Sequence, residues 1–213
     1  MVEGAAVRFG RNPGLRRTTP VVWFERCWRP PMNLLLGFAP FIAFALVDRA
    51  VGHLEGLVAG AVVAVALVAR EVLAGRSLKI LEIGTAILFG GLALYALLAR
   101  PAWSIMDVRL RVDAGLLLIV LVSLLIGRPF TGQYARDSVD PALWTSPRFH
   151  KTNVVITGVW ALAFAVLVLA DLILIYRPDI PQHVGVWATI AALVGAFKFT
   201  KWYPAQMRRA DGG

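Results

Sequence analysis

The chain has 213 residues, of which 58% are hydrophobic and only 16% charged, where soluble domains carry roughly a quarter of charged residues. With a mean hydropathy of +0.69, this composition excludes an ordinary soluble domain and points to an integral membrane protein. The net charge of +9 is scattered between apolar blocks, so its expected partner is the anionic headgroup layer of a membrane and no nucleic acid is expected; the single cysteine, Cys27, excludes a disulfide framework within one chain.

Residues 1–32 are basic and lack the apolar core of a cleavable signal peptide, so they read as a cytoplasmic tail. Within them Trp23, Phe24 and Trp28 alternate with Arg26 and Arg29, a mixture suited to the headgroup layer. Residues 33–202 then supply six apolar stretches long enough to cross a hydrocarbon core of ~30 Å. They lie at about 33–51, 54–73, 78–98, 110–126, 153–176 and 184–199. Pro40, after Gly37, is expected to kink the first. A short tail, 203–213, ends the chain.

Seventeen of the 22 Lys and Arg residues fall in the two tails and in the second and fourth connections, and five fall on the other side. By the positive-inside rule, both termini and the 127–152 connection face the cytoplasm. The expected fold is thus all-α, a polytopic membrane helical bundle of six transmembrane helices. The 127–152 connection opens with "GRPFTGQYARDS". Asp140–Pro141 and Ser146–Pro147 each place a capping side chain before a proline suited to a first helical position. A short helix from Pro141 and a restart at Pro147 running into the fifth span are expected.

Ionisable residues cluster at the span ends. Arg70 and Glu71 close the second span, while Lys79 and Glu82 open the third at an i, i+3 spacing that lets them pair. These four form a candidate polar cluster at the inner face. Asp48, Asp113 and Asp171 lie toward the outer ends; Asp171, five residues before Tyr176, reads as an interfacial structural carboxylate. In the deeper parts only Thr85, Ser123, Thr157 and Thr189 add side-chain polarity, which counts against a transporter with a charged central site. Gly56 and Gly60 form a GxxxG pair, and Gly90 and Gly91 lie in the third span; all four are candidate helix-packing positions. Such rows suit packing within the chain at least as well as a homodimer, so a homo-oligomer is left open.

No HExxH, GxSxG, Walker A or Rossmann pattern occurs. The three histidines, His53, His150 and His183, all lie in connections. No catalytic residue, metal site or cofactor is expected. In the 127–152 connection, Arg128 and Arg136 suit phosphate or carboxylate groups. Phe130 and Tyr134 are expected to seat the loop against the bilayer or neighbouring helices. Thr131, Gln133 and Asn153 complete the candidate partner- or lipid-binding set, Gln133 and Asn153 by hydrogen-bonding exposed backbone.

Three segments, "LFGGLALY" (88–95), "GRPFTGQYAR" (127–136) and "TNVVITGVWALAF" (152–164), resemble in order and spacing the intracellular septation protein A family of bacterial inner-membrane proteins. The resemblance covers roughly residues 34–202. It departs where Phe-Thr and Gln-Tyr-Ala-Arg follow the proline, and in the long basic N-terminal tail. It implies a multi-pass protein of the bacterial cytoplasmic membrane, working in envelope upkeep or septum formation through other membrane proteins. The expected function is a non-enzymatic envelope scaffold or accessory subunit. Two alternatives stay open: a passive channel or small-solute transporter, and a lipid-acting enzyme with its site at the cytoplasmic face.

Overall fold

The computed structural model describes residues 32–210. The expectations for the basic N-terminal tail, with its Trp23–Trp28 segment, lie outside the described residues. All described regular elements are helical. In chain order they are α1 (Met32–Gly37), α2 (Ala39–Ala50), α3 (His53–Leu73), α4 (Ile80–Ala99), α5 (Ile105–Leu125), α6 (Phe130–Ala135), a 3₁₀ turn (Pro141–Leu143), α7 (Pro147–Tyr176) and α8 (Gln182–Ala210). Four of them, α3, α4, α7 and α8 through Met207, are long and apolar enough to cross a membrane.

The two other expected spans take different forms. The first is broken at Phe38 into α1 and α2, with Pro40 in the first turn of α2. Proline has no N–H to continue the ladder and its ring crowds the carbonyl four residues back, so the amides of Phe41 and Ile42 both turn to the Phe38 carbonyl. The fourth expected span starts earlier than its apolar run, at Ile105. Ser104 caps it: Asp107 N–H donates to Ser104 Oγ, and the Ser104 amide donates to the Asp107 carboxylate. This reciprocal box satisfies two amide donors of the first turn. It carries Asp107, Arg109, Arg111 and Asp113 into the helix.

Consecutive helices pack as antiparallel neighbours, α2 on α3, α3 on α4 and α7 on α8, while α5 packs broadly on α7. One apolar core joins Leu81, Leu116, Val120, Phe130, Tyr134, Ile156, Trp160 and Phe164. A second, toward the other end, joins Phe44, Leu57, Phe89, Val108 and Val112. Phe38, at the α1–α2 break, stacks on Trp160 at 5.0 Å. Trp160 Nε1 donates to Thr200 Oγ1 at 2.9 Å, tying α7 to α8.

The candidate packing glycines divide. A side chain at Gly56 would meet the Asp48 backbone at 3.0 Å, and one at Gly60 would meet the Phe89 ring at 2.7 Å. These two positions let α3 approach α2 and α4. Gly90 and Gly91 do not pack against another element: a Cβ at either meets nothing within 4 Å. The close α4–α5 contacts use Gly84 and Gly115 instead, against Ile119 and Leu88.

Candidate functional site

The end of the bundle that holds the α3–α4 turn gathers most of the candidate residues. Helix α3 stops after Leu73, and Gly75 adopts a left-handed φ of 64° in the turn that leads to α4. The turn brings the last residues of α3 beside the first of α4. Glu71 is fully buried, Glu82 is 4% exposed and Lys79 is 5% exposed. Burying such groups costs several kcal/mol per ion unless each is paired.

The pairing is extensive. Glu71 Oε1 meets Arg70 at 2.8 Å and Arg76 at 2.9 Å, and Glu71 Oε2 meets Lys79 Nζ at 3.3 Å. Lys79 Nζ also stands 3.8 Å from Glu82 and 3.3 Å from Asp137. Three cations thus face three carboxylates. Arg70 and Arg76 sit at the rim, about half exposed, and Lys79 sits at the centre. Two of these members, Arg76 and Asp137, were absent from the cluster read from the sequence.

Asp137 belongs to the 127–152 connection, so the network ties that connection to the bundle. The opening stretch of the connection is not an open loop. Gly127 turns the chain at a φ of 68°, the Phe130 amide donates to Ser123 Oγ, and Phe130–Ala135 form the short helix α6. Phe130 and Tyr134 are buried, with rings edge to face at 6.5 Å. Both point into the bundle, against neighbouring helices. The Lys79 ammonium lies over the Tyr134 ring, 5.1 Å from its centre.

Hydrogen bonds complete the seat. Gln133 Oε1 accepts from the Ile80 amide at 2.7 Å, satisfying one of the free donors at the start of α4. Thr131 Oγ1 lies 2.8 Å from Thr157 Oγ1 and 3.1 Å from the Asn153 carbonyl, both on α7. Asn153 Nδ2 donates back to the Phe149 carbonyl. Thr131, Gln133, Tyr134 and Asn153 therefore bind this protein's own helices. Arg128 and Arg136 remain exposed, Arg136 stacked over Trp144 at 5.6 Å. The later caps follow the sequence: Asp140 accepts from Ala142 and Ser146 Oγ accepts from Phe149. Arg148 donates to the Met207 carbonyl and joins this face to the end of α8.

Two buried polar atoms in this region have no hydrogen-bond partner, Glu82 Oε2 and the Tyr134 hydroxyl. Burial, reinforced by the carboxylates of Glu82, Asp137 and Glu71, pushes the Tyr134 phenol above the ordinary tyrosine range. It stays protonated at any physiological pH.

The opposite end holds a second charged group. Arg109 stands 3.6 Å from Asp171, beside Asp113. Asp171 is 1% exposed, and its Oδ2 has no hydrogen-bond partner. The carboxylate read as interfacial is thus sealed between α5 and α7; its partner lies 62 residues away in the chain. The deeper hydroxyls of Thr85 and Ser123 donate to carbonyls of their own helices, and Thr157 is taken up by Thr131. Among the described residues no group of three His, Cys, Asp or Glu side chains is placed to hold a metal ion.

In comparisons with protein-family models, curated proteins and solved structures, nothing matches the chain.

Proposed function

We propose that this chain is a non-enzymatic membrane protein with six crossings, both ends on the cytoplasmic side, whose inner face is a rigid docking platform for anionic lipid and partner membrane proteins. The observation that carries the reading is the closed network of Arg70, Glu71, Arg76, Lys79, Glu82 and Asp137. It turns its carboxylates toward the protein's own cations and seals its one buried amine among them, which supports a structural use of these charges. It also fixes the 130–137 segment, so Arg128 and Arg136 project from an ordered base. Preorganised guanidinium groups bind phosphate or carboxylate with less ordering cost than groups on a mobile loop.

The two crossings beyond the four long apolar helices are α1–α2 together and α5. Each has a reason to fall short by composition alone, a proline break in one and four charges in the other. With six crossings the 127–152 connection, after the fourth, would share the side of both tails, a reading that the distribution of Lys and Arg supports. The envelope or septation role belongs to this proposal through the resemblance in 88–95, 127–136 and 152–164, and so does placement in a bacterial cytoplasmic membrane.

Replacing Arg128 and Arg136 together by glutamine, followed by crosslinking in cells, tests the platform. The expected result is loss of the partner or anionic-lipid adducts at normal abundance. An unchanged adduct profile overturns the assignment of those two residues. A second reading, ion-coupled transport, draws on the buried Asp171 carboxylate paired with the partly exposed Arg109, since charges among membrane helices often serve ion paths. Proton or cation flux in vesicles that disappears in Asp171→Asn favours transport; flux no greater than in empty vesicles excludes it.

A further inference from the structure

At the end away from the charged network, helices α3, α4 and α5 and the α4–α5 connection border a half-open cavity of about 470 Å³. That volume lies within the range of small-molecule sites. Its floor is apolar, with Leu57 and Ala96, and its rim carries His53, Glu55, Arg100 and Trp103.

Two features mark this rim as built for a purpose. Arg100 is the one described non-glycine residue with a left-handed backbone, at φ 44° and ψ 52°. The position closes α4, where glycine is the unstrained choice, and Pro101 follows it, which further restricts the residue before. A strained arginine that lines a cavity is an outlier of the kind that clusters at ligand sites. The second feature is the wall. Trp103 stacks on Tyr95 at 5.4 Å and under the Arg111 guanidinium at 4.5 Å. Arg111 is itself anchored to Asp107, so the wall is fixed before any ligand arrives.

The charges at the rim are of both signs. Arg100 supplies a cation and Glu55 an anion, and His53 is hydrogen-bonded to the Asp48 carboxylate. An anionic headgroup would meet Glu55 as well as Arg100; a zwitterion answers both signs. We propose that this cavity holds one zwitterionic phospholipid headgroup of the ethanolamine type, its phosphate at Arg100, its ammonium at Glu55, and the start of an acyl chain over Leu57 and Ala96. The assignment rests on the membrane reading but on neither sidedness nor docking at the other face.

The test uses the purified full chain equilibrated with equal amounts of phosphatidylethanolamine and phosphatidylglycerol, with retained lipids counted by native mass spectrometry. The wild type is expected to retain one phosphatidylethanolamine in preference to phosphatidylglycerol. Arg100→Gly removes a charge-assisted contact and lowers retention about tenfold or more, yet melts no lower than the wild type because it relieves the strained backbone. Glu55→Gln abolishes the preference between the two lipids, and Ala96→Trp fills the cavity and excludes both. Equal retention by wild type and Arg100→Gly overturns the proposal. So does retention of phosphatidylglycerol at the level of phosphatidylethanolamine in the wild type. Binding of soluble glycerophosphoethanolamine as tight as that of the lipid overturns the membrane-lipid source.

Discussion

Replacing Lys79 by methionine removes the central cation of the buried network while keeping most of its side-chain volume. The consequences differ among its three carboxylate partners. Glu71 keeps Arg70 at 2.8 Å and Arg76 at 2.9 Å. Asp137 is 29% exposed, so water takes over part of the lost contact. Glu82 is 4% exposed and has Lys79 as its ion-pair partner. The cost therefore falls mainly on Glu82, as a buried charge left without its counter-ion. Breaking a buried pair in this way costs about 3–5 kcal/mol. For a chain of this size each kcal/mol moves the melting temperature by roughly 2–4 °C, so a fall of about 10 °C is expected. The assay is thermal unfolding in mild detergent, followed by circular dichroism at the helix band. The double variant Lys79→Met with Glu82→Met removes both buried charges and recovers most of the loss, since an apolar pair of similar volume replaces an ion pair at little or no cost. A single variant that melts with the wild type, or a double variant no better than the single, refutes the assignment of Lys79 as the counter-charge that makes Glu82 tolerable in the bundle.

Gly60→Val places branched atoms against the buried Phe89 ring and should destabilise by about 1–3 kcal/mol through overpacking, whereas Gly91→Ala, which meets no neighbour, should stay within about 0.5 kcal/mol of the wild type; melting of the two variants side by side checks both. Gln133→Leu leaves the Ile80 amide without its acceptor, an expected loss of about 1–3 kcal/mol; it should also raise the rate of proteolysis at Arg136, and an unchanged rate contradicts the docking of α6. Because the Tyr134 phenol is pushed up in the folded chain, its contribution to stability is fully present below the ordinary tyrosine pKa of about 10 and is lost as pH rises above it. Absorbance titration of tyrosinate should therefore show one tyrosine that ionises only with unfolding, and Tyr134→Phe should remove that step.

The long apolar runs made α3, α4, α7 and α8 legible in the sequence because a lipid-crossing helix needs composition more than pattern. The capping pairs Asp140–Pro141 and Ser146–Pro147 likewise announced local structure, since a cap works within three residues. Legibility failed where the deciding partner is distant. The start of α5 carries four charges that interrupt its apolar run, and one of them, Arg109, finds its partner on α7. Nothing near Asp137 in the sequence signals its partner, Lys79, which it meets across 58 residues of chain. Residues 130–135 form a helix because Phe130 and Tyr134 are buried against the bundle, a tertiary effect that no six-residue pattern reveals. The glycines show the same limit. Gly60 and Gly90 look alike in sequence, but only Gly60 lies on a helix face turned toward a neighbour.

The central claim is that the network-bearing face and the 127–152 connection share the cytoplasmic side of a bundle with six crossings. Single cysteines introduced at Ala74, Ala142 and Ala102, all exposed, in a chain with Cys27 replaced by serine, test it through an impermeant maleimide applied to intact spheroplasts and to inverted vesicles, with native Cys27 tested in the unaltered chain. The account predicts that Cys27, Ala74→Cys and Ala142→Cys react only in inverted vesicles and that Ala102→Cys reacts only in spheroplasts. Labelling of Ala142→Cys and Ala102→Cys from one and the same side would contradict it.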